Sequence, residues 1–567
     1  MTMTGARMVV KALEAEGVEV AFGIPGGTVV TLYDALYDAQ FKHVLVRHEQ
    51  AACHAADGYA RASGKTGVCI ATSGPGATNL VTGIANAAMD SVPLVVLTGQ
   101  VLTSLIGTDA FQEADIFGAT LPMVKHSFFV KNTEDLQRAI RGAFHIAGSG
   151  RPGPVLVDIP ADVQRASGTF AYPPEVSFPG YDPKGKENLA DLDLALDALL
   201  SASRPVLIAG GGVILGGAWD SLLRLAEEQG IPVVNSLMGK GAFPETHPLS
   251  LGLVGMHGMP WANLAVSGAD LVIGVGTRFC ERSTGRKDRY APKARILHID
   301  RDPAEIDKNI PATYRLVGDA KKVLDLLLEG TKGKCRERTK AGREAWHATI
   351  AEWRRAYPLQ STFPREELAP WGILAALRER AGKNMPVVTE VGQHQMWAAQ
   401  HWTTEIPRNF ITSGGLGTMG FGLPAAVGIS LARSTPRGPA PVVCIAGDGS
   451  FLMNCQELDT IARYGLPVKI ALFNNSSLGM VRQWQQLFWN ERYSFTRTEG
   501  YDVGKLAGAF GIPARRVDSK ADLAETASWL FDTEGPAVAD FRIPQKDLVL
   551  PMVPAGAALD EFLHTIA

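Results

Sequence analysis

Short runs of consecutive apolar residues, each stopping at glycine, aspartate or asparagine, recur along the chain. A run that is apolar at nearly every position, rather than at alternate ones, suits a strand buried on both faces of a parallel sheet. Residues 441–446 (PVVCIA) form one such run and 468–473 (VKIALF) a second. Between them, apolar and small residues from 451 to 464 recur at helical spacing and predict a helix. The same alternation opens the chain. Met8, Val9, Leu13 and Val18 predict a capped helix from Thr4, feeding a strand that ends in the glycine turn 21–27 (AFGIPGG). Residues 43–65 (HVLVRHEQAACHAADGYARASGK) predict a strand running into a helix, with His48 and Glu49 at the junction. Runs at 204–212 (RPVLIAGGG), 269–276 (ADLVIGVG), 294–300 (ARILHID) and 386–392 (PVVTEVG) follow. Glycine or aspartate at a strand's end marks the edge where open α/β sheets bind ligands. Strands alternating with helices predict an α/β fold. Segment 165–187, rich in Pro, Gly and Ser, and segment 331–370, charged and then Pro-containing, read as linkers, with some helix in 341–357.

A chain of 567 residues has length for about three or four such domains. A net charge of −3 with 20% charged residues gives no polybasic face, which excludes a nucleic-acid partner. Cys53, Cys69, Cys280, Cys335, Cys444 and Cys455 show no CxxC spacing and read mostly as buried thiols of a reducing cytoplasm. The N-terminus lacks a basic-then-apolar signal layout, and no apolar stretch reaches about 18 residues, so neither export nor a membrane span is expected.

The chemistry concentrates in residues 447–484. Gly447 turns the chain at a strand's end, which places Asp448 at the sheet edge and the amides of Gly449 and Ser450 at a helix start, where unpaired N–H groups favour a phosphate. The next strand delivers Asn474 and Asn475 to the same edge. A carboxylate and an amide oxygen are hard ligands that Mg²⁺ accepts beside phosphate oxygens and water. Each fragment alone is equally a strand-end turn; together they ask for a Mg-diphosphate cofactor.

This stretch resembles the metal and diphosphate motif of thiamine diphosphate enzymes, and 474–485 (NNSSLGMVRQWQ) is similar to the acetolactate (acetohydroxyacid) synthase catalytic subunits. RHEQ (47–50), DGYAR (57–61) and 71–100 (ATSGPGATNLVTGIANAAMDSVPLVVLTGQ) resemble the pyrimidine-binding domain of the same enzymes, and the glycine-rich strand ends of the middle region resemble their FAD domain. The implied fold is α/β with three doubly wound parallel-sheet domains: pyrimidine-binding (1–165), central FAD-binding (190–330) and diphosphate/Mg-binding (371–567).

The resemblance implies thiamine diphosphate, Mg²⁺ and FAD as cofactors. Glu49 would hydrogen-bond the aminopyrimidine, favouring the tautomer that takes the thiazolium proton; otherwise it is a helix-start carboxylate. Glyoxylate carboligases lack this acid. Gly26, Phe111 and Gln112 would line the reaction pocket, although Phe111 could equally be core. Val391, Gly392, Gln393, His394, Gly447, Asp448, Gly449, Ser450, Asn475, Gly479 and Met480 would touch the diphosphate side, with Asp448, Asn475 and Ser477 on the metal. Met419 would support the bent cofactor, or be ordinary core. Flavin contacts would come from Arg151, Gly210, Gly211, Gly212, Gly255, Met256, His257, Gly276, Arg278, Asp300, Gly318 and Asp319. Arg282 would face the acceptor's carboxylate, and Met480, Val481 and Trp484 would shape the acceptor pocket, unless Trp484 is a buried anchor.

The implied reaction decarboxylates pyruvate and ligates the resulting hydroxyethyl carbanion to pyruvate or 2-oxobutyrate, as in branched-chain amino acid biosynthesis. The flavin would be structural, since this carboligation has no net redox step. A homodimer or homotetramer is implied, with the cofactor between subunits, together with a possible small regulatory subunit. Leu102 stands where the family usually has proline, Ala161 where it has lysine, and Cys280 and Glu281 where it has an Asp pair. These departures bear on acceptor choice, channel shape and flavin affinity. The alternatives are a 2-oxo acid decarboxylase or pyruvate oxidase on the same scaffold, or a catalytically silent paralogue.

Overall fold

The computed structural model describes residues 2–183, 185, 187–334, 337–362, 365–498 and 500–564, without the side chains of 337 and 338. Cys335 lies outside the described residues. Three six-stranded sheets, every named pairing in them parallel, carry the fold. The first runs Lys42–Leu45, Val20–Gly23, Gly67–Ala71, Leu94–Gln100, Pro154–Pro160 and His126–Phe129. The second runs Ser250–Leu253, Val233–Asn235, Pro205–Ala209, Leu271–Val275, Arg295–Asp300 and Tyr314–Val317. The third runs Phe410–Ile411, Val387–Thr389, Val442–Gly447, Val468–Asn474, Ala537–Arg542 and Ala514–Val517.

In all three the chain lays down an inner strand, adds to one side of it, then crosses to the other side. The crevice where the direction of building reverses opens at the strands' carboxyl ends. It falls after Val20–Gly23 and Gly67–Ala71 in the first sheet, after Pro205–Ala209 and Leu271–Val275 in the second, and after Val387–Thr389 and Val442–Gly447 in the third. The predicted site residues Gly26, Gly210–Gly212, Gly276, Val391–His394 and Asp448–Ser450 all follow one of those six strands, and Gly447 ends one.

The first and third sheets are joined by two helices, Glu49–Ser63 and Gly422–Ala432. The former starts where the His48 ring accepts from the Gln50 N–H at 3.1 Å and stops at Gly64, φ +76°. Alanines and glycines line the contact, so the backbones meet directly. A methyl group added at Gly428 would lie 1.8 Å from the Ala55 carbonyl oxygen, and one at Gly58 would lie 2.3 Å from that of Ala425. We expect Gly428→Val to destabilise the protein by about 3 kcal/mol or more, because this crossing has no flexible side chain to yield. Thermal unfolding beside a substitution at Gly372, where an added methyl meets nothing within 4 Å, checks it.

Residues 451–464 do not form the continuous helix their spacing predicts. The chain makes one short helix, Asp448–Phe451, a tight turn at Leu452–Asn454, and a second helix, Glu457–Arg463. Buried polar side chains are engaged on either side of the break: the Asn454 amide donates to the Gly420 carbonyl at 2.6 Å, and the Glu457 carboxylate accepts from the Arg47 N–H at 2.9 Å. Tertiary bonds override the local period.

Candidate active site

Glu49 is the first residue of its helix. One carboxylate oxygen accepts from the Asn79 amide at 3.0 Å. Gly76 lies beside the other, which a methyl group there would approach to 3.2 Å. Gly26 stands against Thr72 across the crevice of the first sheet, and the Thr72 and Thr28 hydroxyls are 3.0 Å apart. Gln112 adopts φ +59° and lies over Gly74. Phe111 is 88% exposed, which overturns a place in the core. Thr72 and Asn79 were not singled out from the sequence, although both lie in its ATSGPGATN stretch.

At the crevice of the third sheet, Asp448 is buried, and burial pushes its carboxyl up to about 6 against opposing hydrogen bonds from Thr498 and nearby backbone N–H groups. One oxygen accepts from the Ser477 N–H at 3.1 Å and from the Thr498 hydroxyl. Tyr501 donates to the Asp448 carbonyl at 2.9 Å, so Thr498 and Tyr501, neither picked out in the sequence, both bond to this residue. Asn475 donates its amide N–H to Gln393 Oε1 at 3.0 Å.

The side chains of Gln393, His394, Ser477 and Ser450 are all buried. The Gln393 amide is engaged by Asn475, by Gln483 and by the Asp547 carbonyl. The His394 ring is buried beneath Gly392 and Gly447, burial drives its pKa down to about 3, and its Nε2 has no hydrogen-bond partner among the described residues. The Ser477 hydroxyl donates to the Thr496 carbonyl at 3.0 Å, so the hydroxyl is turned into the protein. The Ser450 hydroxyl likewise turns back to the Gly447 carbonyl, and Gly449 faces Leu478.

A cavity of about 1690 Å³ joins the second crevice to the third. Its walls include Arg151, Gly211, Gly212, Met256, His257, Gly276, Arg278, Cys280, Glu281, Arg282, Asp300 and Asp319, then Val391, Gly392, Met419, Met480, Val481 and Trp484. Gly210, Gly255 and Gly318 each adjoin a lining residue. Gly212 and Gly276 nearly touch, since a methyl on Gly276 would lie 2.5 Å from the Gly212 Cα. This leaves a bare backbone cradle. Burial raises Asp300 to about 6, and Arg151 is neutralised by Asp302 at 3.1 Å and Glu305 at 2.6 Å. Trp484 is a half-buried part of the wall, not a buried anchor, and the Arg282 guanidinium lies 6.0 Å from its ring centre. Met419 is half-buried in the same wall, which removes it from the ordinary core.

Comparison with known proteins gives three successive matches: thiamine pyrophosphate enzyme, N-terminal TPP binding domain, over 3–119; the central domain over 192–327; and the C-terminal TPP binding domain over 390–541. The chain is 47% identical to the probable acetolactate synthase large subunit of Methanocaldococcus jannaschii, over 100% of this chain and 96% of that protein. It is 46% identical to acetolactate synthase isozyme 2 large subunit of Escherichia coli, over 100% of both. The chain belongs to the acetolactate synthase large-subunit family.

For a member of this family, the division of the site is informative. Glu49, Gly26, Phe111 and Gln112 do not line the cavity that contains Met419, Arg282 and Trp484. The named residues of the N-terminal match thus stand apart from those of the central and C-terminal matches within one chain. Leu102 and Ala161 follow the adjacent strands Leu94–Gln100 and Pro154–Pro160, so both departures sit at one edge of the first sheet. Cys280 and Glu281 are exposed to the cavity, and Glu281 lies 3.7 Å from Arg282. The other described cysteines are buried or half-buried. Among the described residues no helix is long and apolar enough to cross a membrane.

Proposed function

We propose that the chain is an acetolactate synthase that decarboxylates pyruvate and joins the two-carbon unit to a second 2-oxo acid, pyruvate or 2-oxobutyrate, in branched-chain amino acid biosynthesis. The observation that carries this reading is the shared wall of Met419, Arg282 and Trp484, which adds an acceptor site to thiamine diphosphate-binding domains. Thiamine diphosphate supplies the electron sink for loss of CO₂. Glu49 would hold and share a proton with its pyrimidine, and the Asn79 amide fixes one carboxylate oxygen. Asp448, Asn475 and the Ser477 carbonyl would hold Mg²⁺, whose hard oxygen ligands they supply. The fit rests on a buried carboxyl whose burial cost a cation would relieve.

FAD fits the glycine cradle and the acids Asp300 and Asp319 at the neighbouring strand ends. The cavity exceeds the roughly 300–1,000 Å³ of ordinary small-molecule sites, leaving room for a dinucleotide beside the substrates. Arg282 binds the acceptor carboxylate through its planar fork. Its contact with Glu281 is exposed and weak, so it does not withhold the guanidinium. Trp484, Met480 and Val481 contact the acceptor's alkyl end and keep water from the reacting carbon.

A second copy completes the site in this reading, because Glu49 lies outside the cavity; a homodimer is the smallest active unit and a homotetramer a further step. The relatives are named large subunits, which supports a small regulatory partner. The working units are 1–165, 190–330 and 371–567, in a cytoplasmic protein.

The test is product analysis with thiamine diphosphate, Mg²⁺ and FAD, using pyruvate alone and then with 2-oxobutyrate. Acetohydroxyacids are expected; acetaldehyde or acetate without them would replace the reading by a decarboxylase or an oxidase. Trp484→Leu should shift the product ratio toward acetolactate by about tenfold, within the roughly 1–3 kcal/mol that one methylene contact provides. An unchanged ratio removes Trp484 from acceptor choice.

A further inference from the structure

A buried chain of amides links the proposed metal site to the C-terminal segment. Gln393 and Gln483 are 4% and 0% exposed. Gln483 Oε1 accepts from the Val549 N–H at 2.8 Å, and its Nε2 donates to the Val549 carbonyl at 3.1 Å. Gln393 Nε2 donates to Gln483 Oε1 at 2.9 Å and to the Asp547 carbonyl at 3.0 Å. Gln393 Oε1 accepts from Asn475 Nδ2 at 3.0 Å.

The two ends of a side-chain amide are interchangeable in shape, so its orientation must be set by partners whose polarity is fixed. Here the backbone sets it. A backbone N–H can only donate, so Gln483 must present its oxygen to Val549. Backbone carbonyls can only accept, so Gln393 must turn its nitrogen to Asp547, which puts its oxygen against Asn475. Asn475 has then to offer Nδ2 to Gln393, and its oxygen is the end left free. Gly479 gives the chain room: a methyl there would lie 2.1 Å from Gln393 Oε1 and 2.7 Å from Asn475 Nδ2.

We propose that Gln393 and Gln483 are positioning residues that relay the fixed polarity of the backbone at Asp547 and Val549 to Asn475, reserving its Oδ1 for the divalent cation. This rests on the reading of Asp448 and Asn475 as the metal site. Gln483 also stands beside Trp484 on the helix Gly479–Phe488, so the cation site and the acceptor wall share one buried support. An amide facing the cation with its nitrogen would replace a ligand by a hydrogen-bond donor.

The experiment titrates Mg²⁺ into full-length protein with thiamine diphosphate and follows cofactor binding by calorimetry, independently of turnover. Gln393→Leu deprives Asn475 Nδ2 of its acceptor, so nothing holds the amide with its oxygen outward; Mg²⁺ affinity is expected to fall roughly ten- to a hundredfold. Adding Asn475→Asp presents an oxygen in either orientation and removes the question of polarity, so the double variant should recover most of the loss. Asn475→Asp alone controls for the added charge: recovery beyond the gain it gives in otherwise wild-type protein is expected, and recovery no greater than that gain overturns the proposal. The proposal is overturned if Gln393→Leu binds Mg²⁺ as the wild type does, or if the double variant remains as weak as the single one. Failure of the underlying metal-site reading would look different: wild-type protein would bind thiamine diphosphate without any divalent cation.

Discussion

Glu49→Gln is expected to lower turnover by roughly 10²–10⁴-fold while thiamine diphosphate binding and thermal stability stay near those of the wild type. Glutamine keeps an oxygen to accept from Asn79 and fills the same space beside Gly76. The proton is what it cannot hold and share. Steady-state rates beside calorimetric cofactor affinity separate the two roles. Full turnover in the variant would remove Glu49 from proton transfer, and a parallel loss of affinity would make it a binding group instead.

The fold was legible because parallel strands buried on both faces leave consecutive apolar letters, and because the turn at each carboxyl end needs glycine or a small polar residue. Residues 441–447 and 468–475 show both signals, and Asp448 and Asn475 could be placed at one edge without any contact information. The same logic found the cradle of Gly210–Gly212 and Gly276. It failed where tertiary bonds decide the local path. Residues 451–464 carry a helical period, yet Asn454 bonds to Gly420 and Glu457 to Arg47, and the helix breaks between them.

Side-chain direction was less legible than position. Gln393 and His394 follow the strand Val387–Thr389 as expected, but their side chains are buried, and Gln393 meets Asn475 at a spacing of 82 residues and Gln483 at a spacing of 90. No periodicity encodes such a pairing. Thr72 and Asn79 carry no distinctive letter pattern of their own and become visible only once the strand end and the Glu49 helix are set side by side. Resemblance supplied the roles of Arg282, Met419 and Trp484; the structure contributes that they share one cavity, from which the Glu49 group is absent.

The second large effect concerns Asp448. In Asp448→Ala the buried carboxyl and its burial cost both disappear, while the Ser477 N–H and the Thr498 hydroxyl lose an acceptor. Each lost bond costs about 1–3 kcal/mol if no water replaces it, so the unliganded variant is expected to melt somewhat below the wild type. The ligand-dependent part should vanish. Wild-type protein with Mg²⁺ and thiamine diphosphate at a hundred times their apparent dissociation constant gains about 2.7 kcal/mol, which raises its melting temperature. The variant should show almost none of that rise, and excess Mg²⁺ should not restore it, because the carboxylate is the one anionic side chain among the three assigned ligands. Paired melts with and without the two ligands decide the matter. A variant that keeps the full ligand-induced shift would place the cation elsewhere, and with it the diphosphate end of the site.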